Sequence, residues 1–325
     1  MSASPRLRPA QPASGPLGAA GEPPSLTIGV VGAGRVGAVL GAAFARAGHR
    51  VVAASGVSAQ SRARIARLLP DAANLPAEDV ARAAVDLLLV AVPDDALSGV
   101  ITGLAEAGAV RPGQVVAHTS GAHGLSVLAP AVAAGARPLA LHPAMTFTGE
   151  AEDLARLPGI SYGVTAPSEL RPFAERLVAD LGGSLEWVAE AERPLYHAAL
   201  AHGANHLVTL INEALDRLAD AGVRQPAKVL GPLVHAALEN TLRLRDDALT
   251  GPVSRGDAGT VAKHLERLAA VAPESVDSYV ALARRTADRA IAAGRLRPTA
   301  AGPMLDVLAG APGAVGECQT EQEAA

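Results

Sequence analysis

Gly32, Gly34 and Gly37 stand between a run of β-forming residues, Leu26 to Val31, and a helical pattern that ends near Gly48. Glycines at this spacing do no bond chemistry; they make room for a ligand. Gly32 permits a tight turn, Gly34 lets backbone approach a pyrophosphate, and Gly37 lets helix and strand pack closely. Free N–H groups at the helix start then favour negative charge. The segment Gly32-Ala33-Gly34-Arg35-Val36-Gly37 is read as a dinucleotide-binding turn, because a strand precedes it, a helix follows, and a second apolar strand comes at Arg50–Ala54.

Proton chemistry points further along the chain. His118, His123 and His142 fall at the ends of two apolar segments, Val115–His118 and Pro138–Leu141, each opening into a polar loop. For any one of them taken alone, a hydrogen-bonded structural residue is the better reading. Their accumulation at two strand ends suits a site, since imidazole moves protons near neutral pH. His142 is assigned as acid/base, titrating near the working pH, and Ser120 as the group bonding the reacting oxygen. On a helical stretch from Pro194 to about Ala221, His197, Ala201 and Asn205 are spaced i, i+4, i+8 and share one face. Only a methyl group separates the two polar side chains, which leaves room for substrate; packing against neighbouring helices is the alternative. Arg255, in the loop Thr250–Asp257, is a candidate for bidentate binding of a carboxylate, with pairing to Asp257 as its rival. His202 and His206 form another i, i+4 pair without an evident third ligand, and no metal site is expected.

The cofactor choice rests on an absence. An acidic residue about 20 positions beyond the first glycine would bind a ribose 2′-hydroxyl, yet no Asp or Glu occurs between Glu22 and Asp71. Ser55, Ser58, Ser61, Arg62 and Arg64 cluster there instead, which suits a 2′-phosphate and favours NADP. Ser55, Arg62 and Arg64 therefore join the glycine turn as cofactor-binding candidates. So do Val92 and Pro93, at the end of the apolar strand Asp86–Val92. Asp94 and Asp95 are read as caps of the following helix.

These residues need a scaffold. Strand and helix patterns alternate after the first unit, which implies a mostly parallel sheet covered on both faces. From about residue 168 helical periodicity dominates, apart from a short strand at Ser184–Val188. The expected organisation is a tail over 1–24, a Rossmann domain over 25–165, a mostly helical substrate and dimerisation domain over 166–309, and a second tail over 310–325. Lys+Arg 28 against Asp+Glu 32, with no basic block or aromatic ladder, excludes a nucleic-acid role. Apolar runs fall short of the ~20 residues of a membrane span, and the lone Cys318 suits a reducing, cytoplasmic setting.

Taken together, GAGRVG, the VPDD strand end, HTSGAHG, LHPAMTF, the YHAAL…N helix and TGPVSRGD resemble the bacterial family that pairs a Rossmann-like domain with domain of unknown function 2520. The resemblance covers about Leu26 to Ala293. It implies the fold of the 6-phosphogluconate dehydrogenase superfamily, with relatives such as pyrroline-5-carboxylate reductase, ketopantoate reductase and prephenate dehydrogenase, and it implies NADP-linked redox chemistry. Hydroxyacid dehydrogenases of that superfamily carry a lysine one turn before the helix asparagine. Matched on Asn205, that place is Ala201, and the only lysines are Lys228 and Lys263. His142-Pro143 instead resembles the His-Pro segment of prephenate dehydrogenases. The expected activity is that of a cytoplasmic NADP-dependent oxidoreductase transferring a hydride to or from a small carboxylate-bearing substrate of the 2-ketoacid or imine type, and the chain is expected to form a homodimer through its helical domain. A non-catalytic NADP-binding sensor with the same fold is the alternative.

Overall fold

The computed structural model describes residues 25–311. Of the two expected tails, 1–24 and 310–325, only Gly310 and Ala311 fall within the described residues, and Ala311 is buried in the core of the helical unit. The described chain divides into two compact units, the first ending at Leu200 and the second beginning at Ala201.

The first unit is built on one eight-stranded sheet. Its strands are β1 (Thr27–Val31), β2 (Arg50–Ser55), β3 (Ala73–Asn74), β4 (Leu87–Val90), β5 (Val115–His118), β6 (Arg137–Pro143), β7 (Ser161–Thr165) and β8 (Ser184–Trp187). They lie in the order β3-β2-β1-β4-β5-β6-β7-β8. All pairs are parallel except β6 with β7. The order reverses between β1 and β4, so the crevice outside their carboxyl ends is the place where such sheets bind ligands.

Alternation along the central strands supplies two cores. Ile28, Val30, Leu87 and Leu89 point to one face and join Val39, Leu40 and Phe44 of α1 (Arg35–Arg46). Val31, Leu88 and Val90 point to the other. β4 is buried at every position, as a strand covered on both faces must be. Ser58 caps α2 (Ala59–Leu68) by accepting from the Ser61 N–H. The opposite face is covered by α3 (Ala77–Ala83), α4 (Asp94–Glu106) and the short α5 (Ala129–Ala133). α4 starts differently from expectation: Pro93 is its N-cap, while Asp94 and Asp95 occupy the first turn without a capping hydrogen bond. Carboxylates there still suit the helix dipole.

After β6 the chain runs through α6 (Asp153–Arg156) to β7, then through α7 (Arg171–Asp180) to β8. The sheet therefore continues past residue 165, where the sequence placed a change of domain. The antiparallel return of β7 keeps residues 161–187 in the first unit. This unit closes with α8 (Arg193–Leu200).

The second unit is helical. A π-helical turn over Ala201–Asn205 leads into α9 (His206–Asp220), followed by α10 (Pro226–Leu244), α11 (Gly251–Arg255), α12 (Ala258–Val271), α13 (Val276–Ala292) and α14 (Pro298–Ala309). Its core holds Val261, Leu265, Val280, Ala287, Met304 and Leu308 from α12, α13 and α14. α9 and α10 bury no residue. No helix among the described residues is long and apolar enough to cross a membrane.

Candidate active site

The glycine turn has the geometry its sequence demands. Gly32 has φ +84°, and a Cβ on it would lie 2.7 Å from the Ala91 carbonyl oxygen. A Cβ on Gly37 would lie 2.3 Å from the Gly32 carbonyl oxygen, so helix and turn pack too closely for any side chain. Gly34 differs: a Cβ there would meet only the Gly32 oxygen, at 4.0 Å. The protein leaves that space open, which is the fit a pyrophosphate needs at the start of α1.

Ser55 serves this turn. It is buried, its Oγ accepts from the Gly32 N–H at 3.1 Å, and its carbonyl accepts from the Ala33 N–H at 2.8 Å. Of the two arginines assigned to a phosphate, Arg62 donates to the Val57 carbonyl and is exposed. Arg64 lies against Gly149, together with Arg35 from the first position of α1. Val92 abuts Gly32, with Cγ1 2.9 Å from where a Gly32 Cβ would stand, and Pro93 follows at the N-cap of α4.

The histidines separate into different roles. His118 is fully buried, with Nε2 2.8 Å from the Gly124 carbonyl and Nδ1 accepting from the Ser120 N–H at 3.2 Å. Both nitrogens are satisfied, and burial, reinforced by the Arg193 charge, lowers its pKa to about 4. His118 is thus a neutral brace for the loop 119–124. The His123 N–H donates to Ser120 Oγ at 3.1 Å, which closes the turn and leaves the Ser120 proton available.

His142 and His197 come together around Gly121. A Cβ on Gly121 would be 2.7 Å from His197 Cδ2 and 3.0 Å from His142 Nε2, and the two ring centroids are 6.1 Å apart. The other face of the site is Tyr196, whose hydroxyl is 2.9 Å from His142 Nδ1. That hydroxyl packs on Gly163, where a Cβ would stand 2.5 Å from it, and the phenol is able to donate to Nδ1. With the phenol as donor to Nδ1, the neutral His142 carries its proton on Nε2, which lies against Gly121. The expectation that His142 titrates near the working pH is overturned by its surroundings. Burial, then the charges of Arg193 and His197, push it down to about 4.

Arg193 was not singled out in the sequence. It is fully buried, and its guanidinium donates to Thr165 Oγ1 at 2.8 Å and to the carbonyls of Ser120, Ala140 and Gly163 at 3.2, 3.2 and 3.0 Å. All four acceptors are neutral, so its charge acts on the site uncompensated by a contacting carboxylate. Glu190 instead accepts from the Leu125 and Ser126 N–H groups at 2.6 and 3.0 Å.

Asn205 and Arg255 belong to the second unit. Asn205 is exposed at the end of the π-helical turn, so the spacing of His197, Ala201 and Asn205 is not that of an uninterrupted α-helix. Arg255 is exposed at the end of α11 and forms no ion pair among the described residues, because Asp257 is engaged in capping α12 through the Thr260 N–H at 3.0 Å. His202 Nδ1 and His206 Nδ1 are 3.3 Å apart. Among the described residues no three His, Cys, Asp or Glu side chains form a group able to hold a metal.

The fold and the glycine turn define a class: a Rossmann-like sheet followed by a helical region. Within that class the chain matches the family model described as a Rossmann-like domain over residues 13–143 and that of domain of unknown function 2520 over residues 160–286. It therefore belongs with the proteins that join these two domains. No match is found among curated proteins. Among solved structures it is similar to a Bacteroides fragilis protein provisionally assigned as an NADP oxidoreductase, at 21% identity and TM-score 0.69, covering 81% of this chain and 98% of the other. An imine reductase from a Pseudomonas species aligns at 20% identity and TM-score 0.60, covering 84% and 99%. A reductive aminase from Aspergillus terreus, solved with NADPH, aligns at 21% and 0.57, covering 84% and 95%.

Proposed function

We propose that the protein is an NADP-dependent oxidoreductase acting on a small carboxylate-bearing substrate of the 2-ketoacid or imine type. One observation carries the reading. The glycine turn after β1 and the histidine-bearing ends of β5 and β6 lie at the same carboxyl edge of one parallel sheet, with only β4 between β1 and β5.

A nicotinamide dinucleotide held at Gly32–Gly37 would supply the hydride. The protein's part is the proton. His142 presents Nε2–H to the reacting oxygen or nitrogen and polarises it as a neutral donor. As Nε2 gives up its proton, Nδ1 takes the Tyr196 proton; burial raises the Tyr196 pKa against this transfer, and the nearby Arg193 charge opposes that rise. The imidazole carries no net charge before or after transfer, which matches its depressed pKa. Ser120 donates to the same reacting atom, and His197 orients the substrate; Asn205 and Arg255 remain proposals for orientation and carboxylate binding. Steady-state oxidation of NADPH with a panel of 2-ketoacids and cyclic imines tests the reading: turnover with a member of the panel supports it, and NADPH binding without turnover on any member favours the sensor.

A homodimer belongs to the same proposal. α9 and α10 are amphipathic yet bury nothing, and Val208, Val229, Leu233 and Leu242 are more than half exposed. α9, α12 and α13 also line an apolar cavity of about 760 Å³. A second copy of the helical unit supplies the apolar surface that this face requires.

A further inference from the structure

The segment between β6 and α6 leads from His142 to the arginines beside the glycine turn, and it is fixed at both sides. Asp153 is fully buried and accepts from the Thr148 N–H, the Thr148 hydroxyl and the Gly149 N–H at 2.8, 3.0 and 2.8 Å. Across from it, Arg67 donates to the Gly149 carbonyl at 3.1 Å and pairs with Glu150 at 2.8 Å. Gly149 is buried with φ +83°, a conformation side chains rarely adopt. A Cβ on it would stand 2.6 Å from Arg64 Nε, 2.9 Å from Arg35 Cγ and 3.1 Å from Arg35 Cα. Two guanidinium-bearing residues from different helices are thus seated against one methylene.

Neither arginine is neutralised. Arg35 and Arg64 form no ion pair among the described residues, and Arg64 Nε is shielded without a hydrogen-bond partner. Because Gly149 covers Nε, an anion would be met by the terminal nitrogens of the Arg64 guanidinium, which donate to no carboxylate of the described residues. Both residues follow the carboxyl ends of β1 and β2, inside the acid-free stretch between Glu22 and Asp71. Arg62, occupied by Val57, does not share this place.

We propose that Gly149 is a specificity-determining position, at which the strap over residues 144–153 seats Arg35 and Arg64 together as the pair that binds the 2′-phosphate of NADP. The proposal rests on the NADP reading above. It differs from the sequence expectation in replacing Arg62 by Arg35 and in giving the choice of cofactor to a residue far along the chain.

Calorimetric titration of the full chain with NADPH, NADH, adenosine 2′,5′-bisphosphate and 5′-AMP tests it. In the parent, NADPH and the bisphosphate bind about tenfold or more tighter than their 2′-hydroxyl counterparts. Gly149→Ala and Arg35→Met each abolish most of that ratio while NADH and 5′-AMP change less than about twofold. A folded Gly149→Ala protein with an unchanged ratio overturns the proposal, as does equal weakening of both cofactors, which marks a merely structural strap. If Gly149→Ala does not fold, Arg35→Met, at an exposed position, decides by the same ratio. A parent that binds NADPH and NADH equally fails at the cofactor reading itself, before either variant is measured.

Discussion

The Tyr196 hydroxyl lies 2.9 Å from His142 Nδ1, and the two rings meet edge to face with centroids 5.5 Å apart. This contact pairs the imidazole that the sequence marked as an acid/base with a phenol able to supply it a proton, as the proposed relay requires. Tyr196→Phe keeps the ring packing and removes the proton source. It is expected to lower turnover by roughly 10–10²-fold with NADPH affinity unchanged, within the range of general acid catalysis. Full turnover in a folded Tyr196→Phe protein would remove the relay.

Gly34 and Gly37 should part company under substitution. Gly34→Val adds a side chain where the protein has open space, so the fold persists and NADPH binding is lost. Gly37→Ala drives a methyl into the Gly32 carbonyl and costs about 1–3 kcal/mol of stability. Melting curves and cofactor titrations on both variants check the pair, and a stable Gly34→Val protein with parental NADPH affinity contradicts the assignment.

Acid should weaken the first unit before it reaches the carboxylate range. His118 and His142 are lowered from 6.5 to about 4 in the folded protein, so between those values the unfolded chain binds more protons than the native one. Stability is therefore full above pH 6.5 and falls as the pH drops toward 4. Chemical denaturation at a series of pH values should show this slope, and His118→Gln should reduce it; a flat profile over that window would show that neither histidine is held neutral.

The helical unit should self-associate. Light scattering is expected to give twice the chain mass, and Leu233→Glu with Leu242→Glu, both on exposed positions of α10, should give the single mass without loss of helicity. A parent that remains single at all concentrations excludes the second copy as the partner of this face.

Much of the scaffold was legible in the sequence because its signals are local. The glycine turn and the apolar runs of β1, β4 and β5 depend on neighbours a few residues away, whereas Ser58, which the sequence assigns to a phosphate, caps α2. β7 was not legible: Ser161–Thr165 carries one glycine among three hydroxyl-bearing residues, and its pairing with β6 and β8 makes it a strand. The change of unit at Leu200 was missed for the same reason. His142 was singled out from its residue type and strand end and His197 from helical spacing, whereas Tyr196 and Arg193 were not singled out. A tyrosine and an arginine at a helix start are commonplace, and their meaning arises from Gly163 and Thr165 on the unread strand. Gly149 likewise shows its role only where Arg35 and Arg64 meet it.

The most direct test of the mechanism is one preparation of His142→Asn assayed for melting temperature, NADPH affinity and turnover on a substrate that the parent accepts. A neutral donor at Nε2 predicts an unchanged fold, unchanged NADPH affinity and turnover lowered by roughly 10²–10⁴-fold, while the parent's pH–rate profile shows no limb from His142 near neutrality. A stable, NADPH-binding His142→Asn protein with full turnover would contradict it.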